Sequence, residues 1–410
     1  MPASNAEHIV SIDAAAHGGH GVARIDGQVC FVALALPGDT VRIAVERAAK
    51  GVLWARIVEL IEPSPHRETP PCRVFGACGG CSWLHFAYDA QLAWKRRIVQ
   101  DCLQRIARID IAPDIAADPA LRRGYRTRAE FHGDGEAWGF YARGSRDIVD
   151  ICACPLCHPR LNAALAQLRA VRAQAGVEIT VNPEGDDVLV WVREASRPGR
   201  RTHAGRRPRR APHNAARRLI RDAFPQAQEL GDDAPRAAFS FDGIPVVNGA
   251  FSQGSLLLNR LLLDVVGAMV GDARNVLDLY CGSGNLSLRL AEEGRRVLGM
   301  DHNGAAVAAA AATGRGTYEA GRESDFAEAL ADETRDAVIL DPPRQGAKAI
   351  APALAAAPAD RIIYVSCDPA TLARDARALI AEGWRPAACT VIDLFPDTPH
   401  IETALRFDPA

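Results

Sequence analysis

Residues 276–288, VLDLYCGSGNLSL, read as a buried strand, a tight Gly-x-Gly turn and the start of a helix. A bend of this kind commits the surrounding chain to an open parallel sheet, whose ligands sit beyond the carboxyl ends of the strands. The rest of the C-terminal half fits that commitment. NVLDLY, RRVLGMD, DAVILDPP and RIIYVSC are short apolar strands, each followed by a polar or alanine-rich helical stretch. From Asn248 onward this predicts a doubly wound α/β sheet, and CTVIDLFPDTPHIETALRF reads as an antiparallel hairpin closing its edge.

Such a turn can face a dinucleotide, a nucleotide phosphate or S-adenosylmethionine. Asp301 ends the next strand, 23 residues after Asp278, where an acid accepts hydrogen bonds from both ribose hydroxyls. The third glycine of the dinucleotide fingerprint is missing. Asp278 stands before the turn, where it would repel a pyrophosphate but could hold the amino group of a methionine moiety. The pattern favours S-adenosylmethionine. A later strand ends in Asp341-Pro342-Pro343, which fixes an extended loop mouth beside the cofactor. Amino-group methyltransferases follow a similar Asp-Pro-Pro with an aromatic residue; here Arg344 follows.

YVSCDPATLARD puts Cys367 at the carboxyl end of a strand and at the start of a helix, whose N-terminus is expected to favour thiolate. A pyrimidine would give such a thiolate a task. Carbon 5 of uracil is a poor nucleophile until a thiolate adds to carbon 6, and the carbon-5 proton must later be removed by a base. HIETALRF offers that base: His400 and Glu402 lie two apart on an expected strand and share a face.

At 410 residues the chain is too long for one core. The formal net charge is −2, so any nucleic-acid contact must come from a local patch. No apolar run approaches the ~20 residues of a membrane helix, and the first residues carry no secretory signal pattern. A cytoplasmic protein without membrane contact is expected. In that setting eleven cysteines argue for metal or catalysis over disulfides, with Cys30, Cys102 and Cys389 as small core residues.

Residues 1–62 hold short alternating strands, including a hairpin around Asp26-Gly27, and suggest a small barrel. A proline-rich connector, Glu62 to Pro71, leads to a cysteine loop and an amphipathic helix. Residues 122–192 turn β-rich. The stretch Arg193 to Arg221 holds eleven arginines and one acid, and its Arg197 to Arg210 run is a phosphate-binding candidate. Trp83, His85 and Phe86 are assigned to packing rather than to base stacking. Cys72, Cys78 and Cys81 share the first loop with Gly76, Gly79 and Gly80; DICACPLCHP adds Cys152, Cys154 and Cys157. By spacing alone, Cys78 and Cys81 with Cys154 and Cys157 could form a two-knuckle zinc site, which leaves Cys72 idle across an unusually long gap.

The order and content of DLYCGSGN, LDPPRQGA, YVSCDPATLARD, HIE, FSQG and the cysteine loop resemble the RNA 5-methyluridine methyltransferases, over residues 72 to 402. The resemblance is to the branch that carries an iron–sulfur cluster and acts on large-subunit ribosomal RNA. It implies a Rossmann-like class I methyltransferase domain (246–410), a central β-rich cluster-binding domain (63–245) and an N-terminal TRAM-like barrel (1–62). It makes Cys367 the nucleophile and Glu402 the base. Gln253, Tyr280, Asn285, Asp301 and Asp341 become contacts of S-adenosylmethionine. Cys72, Cys78, Cys81 and Cys154 become ligands of a [4Fe–4S] cluster, with zinc as the alternative. Where the family has Gln-Val-Asn, this chain has Gln253-Gly254-Ser255. The expected partner is RNA, 23S rRNA first and tRNA second, bound by a monomer. An amino-directed RNA methyltransferase and a non-catalytic RNA-binding assembly factor are the rival readings.

Overall fold

The structure, a computed structural model, describes residues 7–193, 213–225 and 238–410. The arginine run Arg197 to Arg210 lies outside the described residues.

Six N-terminal strands form one sheet: Glu7–Ser11, Ala14–Ala15, Gly21–Ile25, Gln28–Ala33, Thr40–Ala49 and Val52–Glu62. Strand alternation turns Ala23, Cys30, Val32, Val41, Ile43, Leu53 and Ala55 to one side, and the sheet rolls around them. Its first hairpin turns at Asp26 and Gly27, both at positive φ, with Ile25 paired to Gln28. Those are the demands of a two-residue type I′ turn. The proline-rich connector is packed down rather than extended as a spacer. Fully buried Asp39 accepts from the Ser64 amide at 2.9 Å and from Arg67 Nε and Nη2 at 2.7 Å, tying barrel to connector.

The central antiparallel sheet runs Ile148–Asp150, Trp138–Tyr141, Arg128–Asp134, Gln174–Val181, Val188–Arg193 in spatial order. The helix Pro159–Arg169 covers it, and Phe131, Trp138, Leu161, Leu165, Val177 and Ile179 fill the space between.

The C-terminal sheet holds β1 (Asn275–Leu279), β2 (Arg296–Asp301), β3 (Thr317–Ala320), β4 (Ala337–Leu340), β5 (Ile362–Ser366), β6 (Trp384–Ile392) and β7 (Glu402–Pro409). Their spatial order is β3-β2-β1-β4-β5-β7-β6. The first five are parallel, and β7 runs antiparallel between β5 and β6. The predicted terminal hairpin is present, yet it does not end the sheet. Asp114–Ala116 pairs in parallel with β6 and takes the edge. An open edge leaves backbone donors and acceptors unpaired, and this short strand satisfies them.

The same central segment packs under the sheet. Ile98 and Val99 of the helix Tyr88–Cys102 join Trp83, Phe86, Leu277, Leu340, Leu372 and Phe407 in one core. Trp83 and Phe86 are buried edge to face, with ring centroids 5.7 Å apart, and His85 is buried beside them. Packing is therefore their role. Cys30 and Cys389 are buried as expected; Cys102 is half-buried.

Candidate active site

The glycine turn after β1 is built from left-handed backbone: Tyr280, Gly282 and Gly284 all have positive φ. Asp301, at the end of β2, accepts from the Gly282 amide at 2.9 Å and the Asn303 amide at 2.7 Å. Its carboxylate thus faces the turn. Beyond the turn lies an open cleft of about 580 Å³, lined among others by Gln253, Asn259, Tyr280, Gly282, Asn285 and Asp341. Four of the five expected cofactor residues line it, and the fifth, Asp301, braces its floor. A Cβ added at Gly282 would meet nothing within 4 Å, so the cradle is open where a ligand would lie. Asn285 and Asn259 exchange two amide hydrogen bonds, at 2.8 and 3.0 Å, which fixes the Asn285 side chain.

Asp278 is the acid that precedes the turn. It is fully buried beneath the turn and is not part of the cleft lining. Strand alternation explains this, because Leu277 and Leu279 face one core and Asp278 points to the other side. Burial, with Asp341 and Asp301 nearby, pushes its carboxyl up to about 7, and neither carboxylate oxygen has a hydrogen-bond partner among the described residues.

Asp341 joins the cleft to a second group of side chains. Burial raises its carboxyl to about 7, and its charge is felt by both Cys367 and Glu402. Cys367 follows β5, and Glu402 opens β7, the neighbouring strand. Glu402 is buried with Oε1 lacking a hydrogen-bond partner, and burial followed by Asp341 pushes its carboxyl well up. Cys367 also differs from expectation. Its thiol is pushed up to about 11 by burial, Glu402 and Asp341, which outweigh the helix N-terminus. The capping carboxylate of Asp368 takes up the Thr371 amide at 2.8 Å, so that terminus is already occupied.

The opposing charge is Arg344, whose guanidinium lowers both Cys367 and Glu402. Its loop is clamped: Asp375 accepts from the Ala347 amide at 2.9 Å and from the Tyr364 hydroxyl at 2.7 Å. Gly346, at φ +80°, sits where any Cβ would collide with Asp375 and Arg374. The sequence signal for Arg344 was its position, an arginine where amino-directed enzymes carry an aromatic. His400 lies before β7 rather than on it, so strand alternation does not align it with Glu402. Its ring packs edge-on to Phe395 at 5.5 Å, and burial followed by Arg344 pushes it down to about 4.

The loop from 393 to 401 that delivers Glu402 is pinned from below. Lys95 Nζ donates to Asp393 at 2.6 Å and to the Phe395 carbonyl at 3.0 Å; the Tyr88 hydroxyl donates to Asp393 at 2.7 Å. Gln91 donates to Asp397 Oδ1 at 2.9 Å and accepts from the Asp397 amide at 2.9 Å, while Arg122 Nε adds a bond at 3.0 Å.

Away from this cleft, Cys72, Cys78, Cys81 and Cys154 line a single, mainly apolar pocket of about 390 Å³ with Arg126. Cys157 is not in that lining. Its thiol first, and then the Leu156 amide, bring the Cys154 thiol down to about 6 despite burial. The Gly80 amide points at Cys78 Sγ, 3.4 Å away. Among the described residues no group of histidine, cysteine or acidic side chains is arranged as a ready metal site. No helix among them is long and apolar enough to cross a membrane.

The sheet order, the glycine turn and the acid at the end of β2 define an S-adenosylmethionine-dependent methyltransferase domain, and residues 245–361 match the methyltransferase small domain family. Residues 7–58 match the TRAM domain, and residues 327–408 match the tRNA (uracil-5-)-methyltransferase family. The chain is 36% identical to the 23S rRNA (uracil(1939)-C(5))-methyltransferase of Chromohalobacter salexigens, over 97% of this chain and 88% of that one. It is 31% identical to the enzyme of the same name from Ralstonia nicotianae over the whole of both chains. Its fold superposes on the tRNA (uracil-54, C5)-methyltransferase of Pyrococcus abyssi in complex with S-adenosyl-L-homocysteine. The TM-score is 0.73 at 22% identity, over 97% of this chain and 99% of that one. The chain belongs to the RNA 5-methyluridine methyltransferase family.

Proposed function

We propose that the chain transfers a methyl group from S-adenosylmethionine to carbon 5 of a uridine in 23S rRNA. The supporting observation is Asp341, which lines the cofactor cleft and whose charge is felt by half-buried Cys367 and buried Glu402, with the exposed Arg344 as the opposing charge. An amino-directed methyltransferase has no use for a thiol and a base at that point. The names of the full-length relatives favour 23S rRNA over tRNA.

The residues divide the work as follows. Cys367 gives up its proton to solvent, a step favoured by the positive charge of Arg344, and the thiolate adds to carbon 6 of the uracil. The electron pair of the 5,6 double bond moves into an enolate, which makes carbon 5 nucleophilic. S-adenosylmethionine, held by Gln253, Tyr280, Asn285, Asp301 and Asp341, supplies an electrophilic methyl. Glu402 then takes the carbon-5 proton; its raised carboxyl gives it the proton affinity that a base needs. The pair re-forms the 5,6 bond and expels Cys367. Burial around Cys367 and Glu402 keeps water from competing.

The cysteine pocket fits a [4Fe–4S] cluster held by Cys72, Cys78, Cys81 and Cys154. All four thiols line one pocket, and the set of four cysteines is the ligand set such a cluster takes. The cluster would staple the first cysteine loop to the central domain, with Arg126 offsetting its negative charge. Anaerobically purified protein should show visible charge-transfer absorption and bound iron. Cys154→Ser should lose both, and stoichiometric zinc without iron would transfer the site to the alternative. The protein acts as a monomer in the cytoplasm, with domains divided near residues 62 and 245.

The function is tested with 23S rRNA carrying tritium at carbon 5 of uridine. One tritium should reach solvent for each methyl transferred, whereas methyl transfer without tritium release would place the chemistry on another atom.

A further inference from the structure

The N-terminal barrel meets the catalytic loop at Gly19. Gly19 is buried in the loop His17-Gly18-Gly19-His20, and a Cβ added there would lie 2.9 Å from both Cβ and Cγ of Pro399. The same atom would lie 3.2 Å from Cβ of Ser82. Pro399 precedes His400 and stands three residues before Glu402, while Ser82 follows Cys81. Barrel, cysteine loop and catalytic strand therefore meet at a glycine that has room for no side chain.

This junction is anchored on each side. The Gly19 amide donates to the Ala16 carbonyl at 3.0 Å and the Ala16 amide to the His20 carbonyl at 2.8 Å, which closes the loop on itself. The His20 ring stands edge-on to Trp54, centroids 5.0 Å apart, so the loop moves with the barrel sheet. Asp39 with Arg67, and His85 with the Leu34 carbonyl at 3.0 Å, hold the barrel against the segments on either side of the cysteine loop. On the catalytic side, the helix Tyr88–Cys102 and Arg122 pin residues 393–397 from below. Pro399 lies beyond those pins, between them and Glu402, and Gly19 seats it from above.

We propose that Gly19 is a positioning residue: the barrel loop sets the height of Pro399, and through it the place of Glu402 at the uracil. The barrel then contributes to the chemical step and not only to RNA affinity. This rests on the proposed carbon-5 reaction, in which Glu402 must reach a proton within hydrogen-bond distance.

Gly18 supplies a matched control. Gly18 and Gly19 have φ of +92° and +87°, so alanine strains the backbone alike at both. A Cβ at Gly18 meets nothing within 4 Å. The experiment compares steady-state methylation of 23S rRNA by full-length wild type, Gly18→Ala, Gly19→Ala and Pro399→Ala. Gly19→Ala should lower kcat about 10- to 100-fold, the range for displacing a catalytic group by roughly an ångström. Its KM for RNA should stay within about twofold of that of Gly18→Ala, since uniform binding is untouched. Pro399→Ala, which empties the contact from the other side without straining the barrel, should lower kcat in the same sense. If Gly19→Ala fails to fold, Pro399→Ala decides alone. Turnover by Pro399→Ala equal to wild type, or a Gly19→Ala defect confined to KM, overturns the inference. Absence of carbon-5 methylation by wild type would instead overturn the reading of the reaction.

Discussion

Glu402→Gln should accumulate a covalent protein–RNA complex that survives denaturing gel electrophoresis. The substitution leaves Cys367 free to add to carbon 6 and leaves the cofactor cleft intact, so methylation of carbon 5 still proceeds. An amide cannot take the carbon-5 proton, and without that step the thiolate is not expelled. Cys367→Ala should form no complex and no product, because carbon 5 is never activated. The double variant should also form none. The raised carboxyl of Glu402 and its partnerless oxygen make this separation sharp, since among the described residues no donor holds that oxygen. Normal turnover by Glu402→Gln would move the base to another residue.

Lys95→Ala should destabilise the protein by about 3–5 kcal/mol, the usual penalty for stranding one member of a buried ion pair. Both side chains of the Lys95–Asp393 pair are 0% exposed. With Lys95 removed, Asp393 keeps the Tyr88 hydroxyl as its one side-chain partner among the described residues, and the Phe395 carbonyl keeps only its bonds from Thr398. Urea unfolding at unchanged m-value measures the loss, and a change under about 1 kcal/mol would mean that water reaches the pair. Lys95→Met with Asp393→Leu should recover most of that stability, because apolar replacement of a buried pair is often neutral or better. Activity should stay low in the double variant, as the pair also pins the loop leading to Glu402.

That pair illustrates what the sequence could not reveal. Lys95 and Asp393 are 298 positions apart, and each reads locally as an ordinary surface charge. The edge strand Asp114–Ala116 was equally silent, since three residues carry no periodicity and its partner lies in the last domain. By contrast, the glycine turn and the places of Asp301, Cys367 and Glu402 at strand ends were legible. A tight turn needs positive φ, and reacting groups must stand at strand ends, so local chemistry dictates both residue type and place. Inference failed where electrostatics summed over several elements. The helix N-terminus alone argued for a thiolate at Cys367, while burial and two neighbouring carboxyls reverse the sign. For Asp278 the position in the motif was clear, but the side of the sheet it faces was decided by the packing of Leu277 and Leu279.

The most direct test is the identity of the methylated nucleoside. Unmodified 23S rRNA is incubated with S-adenosylmethionine and the wild-type protein, digested to nucleosides and read by mass spectrometry against standards. The account predicts 5-methyluridine as the product, absent when Cys367→Ala replaces the wild type. A methyl group on an exocyclic amine or on ribose, or 5-methyluridine formed undiminished by Cys367→Ala, would contradict it.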